Sequence, residues 1–151
     1  MRRAEGRNTS LAHENEKGIY GDMAVRCLDL MKNFSKYGLK CIFDPANFLQ
    51  CNEETDKAYT MLREYVAYMH IKDAYLGRPE VVPAGHGDGH IREILSSLSE
   101  KEMFLSLEPH LSVSPWMESI MEKEEIKRSE GKDSYSLWAL AHRSLVNILT
   151  E

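Results

Sequence analysis

Four short apolar runs, each closing on a side chain that binds metals or moves protons, constrain this chain more than any other feature. Residues 9–14 end on Glu14, residues 39–43 run into Asp44, residues 66–71 carry His70 near their end, and residues 103–107 run into Glu108. Between them lie longer stretches with helical spacing of apolar residues. Short apolar runs alternating with amphipathic helices are the signature of parallel strands joined by crossover helices, and so of an α/β fold. In such folds the C-terminal ends of the strands converge on the functional site.

The expected helices follow from their punctuation. The first opens at Asp22 as N-cap and turns Met23, Cys27, Leu30, Met31 and Phe34 to one side, with Gly38 as its stop. A second is expected over residues 53–64 with Ala58, Met61 and Leu62 inward, and a third over residues 90–100 after a long Gly/Pro-containing loop at 72–89. A further helix is expected to begin at Ser114-Pro115, and residues 123–133 form a charged helix end and loop. The last helix spans residues 134–150, with Leu137, Leu140, Ala141, Leu145 and Ile148 as its apolar stripe.

Composition narrows the function classes. A length of 151 residues with 42% hydrophobic content suits one globular domain. A net charge of -5 without a dense Lys/Arg run argues against a nucleic-acid footprint. No apolar run approaches the length of a bilayer span, and the basic start at Arg2 and Arg3 lacks the apolar segment of a signal peptide. Three cysteines, Cys27, Cys41 and Cys51, without CxxC spacing indicate neither a disulfide framework nor a thiolate metal site. The expectation is a cytoplasmic protein with a small-molecule partner.

Glu14, Asp44, His70 and Glu108 make three carboxylates and one imidazole, a hard donor set suited to one divalent ion such as Mn²⁺, Mg²⁺, Co²⁺ or Zn²⁺. Counting back by twos gives Ala12, Ile42, Tyr68 and Ser106, so the same strand face continues inward as small or largely apolar side chains. Singly, a strand-end acid is more often a helix cap and a strand histidine more often a hydrogen-bonded core residue. Four coincidences in series favour a site.

The strings His13-Glu14-Asn15-Glu16, Phe43-Asp44-Pro45-Ala46-Asn47, His70-Ile71-Lys72-Asp73, Pro83-Ala84-Gly85-His86-Gly87-Asp88-Gly89 and Ser106-Leu107-Glu108-Pro109-His110 resemble, in order and spacing, successive strand-end motifs of the sugar phosphate isomerase/epimerase group of xylose-isomerase-like TIM barrels. The resemblance runs from about Leu11 onward and matches family strands five to eight. It implies a partial (β/α)8 domain over residues 1–151, with residues 1–7 as the tail of a preceding helix. It further implies a metal held by Glu14, Asp44, His70 and Glu108. Glu14 and Glu108 double as the acid/base pair that isomerises or epimerises a sugar through a metal-stabilised enediolate.

Asn47, Lys72 and Asp73 are the expected substrate-binding residues. Asn47 stands where relatives often carry a histidine, which argues against the three-zinc endonuclease IV branch. For Lys72 and Asp73 a water-facing loop ion pair is an equal alternative. The Gly85–Gly89 run is expected to approach substrate through its backbone N–H groups. A complete barrel takes about 250 residues, and four βα units leave strand edges open. A separate N-terminal half-barrel or a homodimer partner is therefore expected. The competing reading is an inactive or split-gene fragment.

Overall fold

The computed structural model describes residues 8–98, 102–111 and 134–151. The expected helix at Ser114-Pro115, the charged stretch 123–133 and the segment 1–7 lie outside the described residues. Four strands form one parallel sheet in the order β1 (Leu11–Glu14), β2 (Leu39–Phe43), β3 (Val66–Ile71) and β6 (Phe104–Leu107). All three pairings are parallel, so the four strand ends that carry Glu14, Asp44, His70 and Glu108 face the same way. The mixed α/β architecture with a parallel sheet expected from the alternating pattern is present.

Helix α1 (Ala24–Phe34) links β1 to β2, and α2 (Pro45–Gln50) and α3 (Thr55–Leu62) link β2 to β3. A short antiparallel pair, β4 (Asp73–Ala74) with β5 (Val81–Val82), and α4 (Ile91–Ser97) follow β3. Helix α5 (Ser134–Thr150) ends the described chain.

Strand parity divides the molecule. Phe43, Met69 and Ile71 point to the helix side and join Ala24, Cys27, Phe48, Ala58, Leu62, Ile91 and Ile148 in the main core. Phe43 sits at its centre, with the Tyr59 ring edge-on at 5.4 Å and the Phe48 ring tilted at 5.2 Å. The other parity, Ile42, Tyr68, His70, Phe104 and Ser106, lies on the face that leads to the strand-end residues. Phe104 is 68% exposed there, and among the described residues β1 and β6 are the sheet's outer strands.

Several boundaries differ from expectation for local reasons. Pairing of β1 begins at Leu11 rather than Thr9, because Leu39 at the start of β2 is its first partner. Asp22 does not cap α1; its carboxylate pairs with Arg26 at 2.6 Å, and Met23 occupies the N-cap position. The proline after Asp44 starts a helix, α2, in addition to those expected: Pro45 fills the first helical position, where a missing N–H costs nothing. The region 53–64 shortens to α3; α4 falls within the helix expected over 90–100, of which residues 99–100 lie outside the described residues, and its N-cap His90 takes a left-handed conformation with φ 49°. The loop 72–89 contains the β4–β5 pair. The final helix has the expected bounds, with Leu140, Ala141 and Ile148 of its stripe buried.

Cys27 and Cys41 are buried free thiols, each pushed up to about 12 by burial, as expected of small core hydrophobes. Among the described residues no helix is long and apolar enough to cross a membrane.

Candidate metal and substrate site

Parallel register sets the centre of the site. His70 is paired across the sheet with Ser106, and Glu108 follows two residues later with its N–H donating to the Ile71 carbonyl at 3.2 Å. Glu14 closes β1 two strands away. Their side chains meet: Glu108 Oε1 lies 2.5 Å from His70 Nδ1, and Glu14 Oε2 lies 3.7 Å from His70 Nε2. One ligand atom from each of Glu14, His70 and Glu108 lies within 4.8 Å of the others. That spacing and donor set fit a divalent cation bound by two carboxylates and one imidazole. Three of the four expected ligands are thus brought together.

The electrostatics agree with a cation there. Glu14 is held above the usual carboxylate range, first by partial burial and then by the neighbouring carboxylates of Asp44 and Glu108, with His70 and Lys72 working the other way. Crowded, partly desolvated carboxylates oppose ionisation, and a divalent ion between them relieves that repulsion. His70 itself is gripped from the inner face: the Tyr68 hydroxyl is 3.1 Å from Nε2 and the Ser106 hydroxyl 3.1 Å from Nδ1. Tyr68 and Ser106 are the residues two positions before His70 and Glu108. The period-two count that placed them on this face was the signal that marks them as supports of the imidazole.

Asp44 is committed differently. It is fully buried, its Oδ1 caps α2 by accepting the Asn47 N–H at 3.0 Å, and Lys72 Nζ stands 2.7 Å from Oδ2. That ion pair is held by charge and proximity rather than by an aligned hydrogen bond. Burial raises the Asp44 carboxyl, and Lys72 opposes the rise. The fourth expected ligand therefore faces a lysine, outside the three-residue group.

Lys72 is only 4% exposed. The alternative of a Lys72–Asp73 ion pair in water is overturned, because both side chains are buried and Lys72 pairs with Asp44.

Asp73 serves the loop. Its carboxylate accepts the N–H groups of Ala74, Gly85 and Gly89 at 2.9 Å and of Gly87 at 3.1 Å. The glycine run expected to present its N–H groups to substrate spends three of them here. Glycine is required because a Cβ on Gly87 would meet the Ala74 carbonyl oxygen at 2.3 Å, and one on Gly89 would meet Asp73 Oδ1 at 2.5 Å. Asp73→Asn replaces one acceptor oxygen by a donor amide facing these N–H groups. A loss of about 2–4 kcal/mol is expected in chemical denaturation, with early hydrogen exchange at residues 85–89.

Asn47 Nδ2 donates to Glu14 Oε1 at 3.1 Å, and so orients a candidate ligand. Asn15, passed over as a site residue in the sequence, is 1% exposed and clasps the β2 end: its Nδ2 donates to the Asp44 carbonyl and its Oδ1 accepts the Asp44 N–H, both at 2.9 Å. Its place directly after a strand-end glutamate was the available clue. Beside the cluster opens a cleft of about 470 Å³ bordered by Glu16, Asn47, Gln50, Lys72, Glu80 and His110. Asn47 and Lys72 border this cleft while holding Glu14 and Asp44.

No protein-family model and no curated protein matches the chain. Among solved structures it is similar to the probable 3-DHS dehydratase AsbF involved in petrobactin synthesis from Bacillus anthracis, with a TM-score of 0.57 at 19% identity. The likeness covers 67% of this chain and 43% of that one, so the chain spans less than half the length of its structural neighbour. At that identity the likeness concerns the fold. It supports an α/β fold built on parallel βα units.

Proposed function

We propose that the chain carries the metal centre of a divalent-metal-dependent enzyme that moves a proton at the carbon beside the carbonyl of a sugar-like substrate, as isomerases and epimerases do. The observation that carries this reading is the convergence of Glu14, His70 and Glu108 at parallel strand ends next to an open polar cleft. A cation held by these three residues would offset negative charge on the substrate carbonyl oxygen. Glu14 and Glu108 approach opposite nitrogens of the His70 ring, so two carboxylates are available to take and return a proton from different sides. Burial raises the Glu14 carboxyl and so brings its proton affinity closer to that of a weakly acidic C–H, and proton transfer is most effective when donor and acceptor affinities approach each other. Tyr68 and Ser106 fix the imidazole, Asn47 fixes Glu14, and Lys72 is placed to donate from the cleft wall.

A second reading, dehydration, is favoured by the likeness in fold to the probable 3-DHS dehydratase AsbF. It shares the first step: loss of water beside a carbonyl also begins with removal of the adjacent proton. One experiment separates the readings. The chain is incubated with Mn²⁺ or Co²⁺ and a panel of aldoses and ketoses in D2O, and substrate deuterium content and products are read by mass spectrometry. Metal-dependent deuterium uptake is expected, with products of unchanged mass formula for isomerisation and products lighter by one water for dehydration. Metal binding with neither deuterium uptake nor loss of water across the panel rejects both.

A further inference from the structure

Helix α5 carries three faces rather than two. Leu140, Ala141, Ser144 and Ile148 are buried; Ile148 joins the main core, and a Cβ on Gly85 would meet its Cδ1 at 3.1 Å. Arg143, Asn147 and Thr150 fall together on a second, polar face. The third face carries Tyr135, Trp138, His142, Val146 and Leu149, all exposed, and its four hydrophobic members are between 39% and 76% open. The Trp138 ring stacks on His142 at 5.3 Å with 15° between the planes, so the two rings form one plate at the middle of the stripe. Because a polar face already meets water on this helix, the apolar stripe is not its solvated side. Single exposed apolar residues need no account, but a continuous row of them marks an interaction surface.

The occupant follows from spacing, area and charge. The five positions stand 3, 4, 4 and 3 residues apart, a pattern that reads the same in both directions about His142. An antiparallel copy of α5 with its own His142 opposite this one therefore sets Trp138 against Val146 of the second copy, and Tyr135 against Leu149 of the second copy. Each large ring then faces an aliphatic side chain, and self-complementarity of this kind is what a two-fold interface requires. The antiparallel arrangement also brings each helix N-terminus beside the other's C-terminus, where opposite partial charges meet. With aromatic side chains presenting on the order of 150–250 Å² each, the stripe offers about 500 Å² per copy, hence about 1,000 Å² for the pair, the lower end of a specific interface. A membrane surface is the poorer match. An interfacial helix needs several Lys or Arg on its polar face, and α5 has Arg143 alone in a chain of net charge -5.

We propose that the stripe Tyr135, Trp138, His142, Val146 and Leu149 is a self-association surface, on which α5 of a second copy of this chain lies antiparallel across a two-fold axis at His142. The proposal is independent of the proton-transfer reading, since none of these residues belongs to the Glu14, His70 and Glu108 group. The plate of Trp138 and His142 forms the centre of the contact, and the polar face with Arg143 and Asn147 stays in water at its rim.

The test is sedimentation velocity on the full chain over a concentration series. Wild type is expected to pass from monomer to dimer on the order of 10–100 μM, as suits an interface of this size. Trp138→Glu is expected to weaken self-association about 10-fold or more, with an unchanged circular dichroism spectrum at low concentration because the side chain lies outside the core. His142→Cys reads the geometry: position 142 meets its own copy across the axis, so a short bismaleimide is expected to link it into a covalent dimer in a yield that neither wild type nor Asn147→Cys reaches. A wild type that stays monomeric up to about 500 μM overturns the proposal. So does a dimer that Trp138→Glu leaves unchanged, or one that His142→Cys fails to link, since the copies would then meet elsewhere.

Discussion

Glu108→Gln is expected to lower metal-dependent deuterium uptake by about 10²–10⁴-fold while leaving the fold intact. The expectation follows from three features. Glu108 is half-buried at the end of an edge strand, so an isosteric amide fits the same space. Its carboxylate is the nearest acid to His70, at 2.5 Å, and is one of only two carboxylates in the three-residue group. An amide can neither accept a proton from carbon nor supply the charge that holds a divalent ion. The variant has a second signature that a merely structural role would not produce. Glu108 is one of the charges that push the Glu14 carboxyl upward, so its neutralisation should bring Glu14 toward the ordinary carboxylate range. Carbon-detected NMR titration of the metal-free protein reads this shift, and calorimetry with Mn²⁺ reads the lost affinity. Unaltered deuterium uptake in Glu108→Gln would remove this residue from the chemistry.

The second large effect lies in stability. Lys72→Met leaves the Asp44 carboxylate fully buried without its counter-charge, and an uncompensated buried charge costs about 3–5 kcal/mol. The double variant with Asp44→Asn should recover much of that loss, because the Asn side chain keeps an acceptor for the Asn47 N–H without carrying charge.

The pH dependence has a definite sign. Burial already holds the folded-state Asp44 carboxyl above its ordinary value, and Lys72 lowers it, so removal of Lys72 raises it further. A carboxyl with a higher affinity for protons in the folded state loses stability as pH rises from its unfolded value through its folded one. The deficit of Lys72→Met should therefore be largest at neutral pH and shrink on acidification through that window. Urea denaturation of wild type, both single variants and the double variant across mildly acidic to neutral pH measures all of this. A pH-independent deficit would mean that the Asp44 charge is not what the lysine compensates.

How far the sequence reached can be seen at individual residues. Glu14, His70 and Glu108 were legible because strand periodicity and parallel direction are local properties: an apolar run ending in a ligating side chain places that side chain at the sheet's C-terminal edge, whatever the details. Asp44 was equally visible as a strand-end acid, but its partner was not. Whether its carboxylate meets a cation or Lys72 depends on a side chain from the next strand end, and the register between β2 and β3, which shifts at Cys41/Ile42, is not written in either strand alone. Asp73 and the glycine run were each singled out for substrate, yet their N–H groups and carboxylate satisfy one another across twelve to sixteen residues of loop.

What the sequence by itself determined is the alternation of strands and helices, the bounds of β3 and α5, and which face of each strand leads to the site, because these follow from periodicity, capping and apolar content over short spans. Only the tertiary structure decided which polar groups neutralise each other. Burial makes an unpaired charge or N–H costly, so each buried polar group takes the partner that packing brings within reach, as Asp44 takes Lys72 and Asp73 takes the loop. The groups left for chemistry, Glu14, His70 and Glu108, are those that meet one another at the cleft.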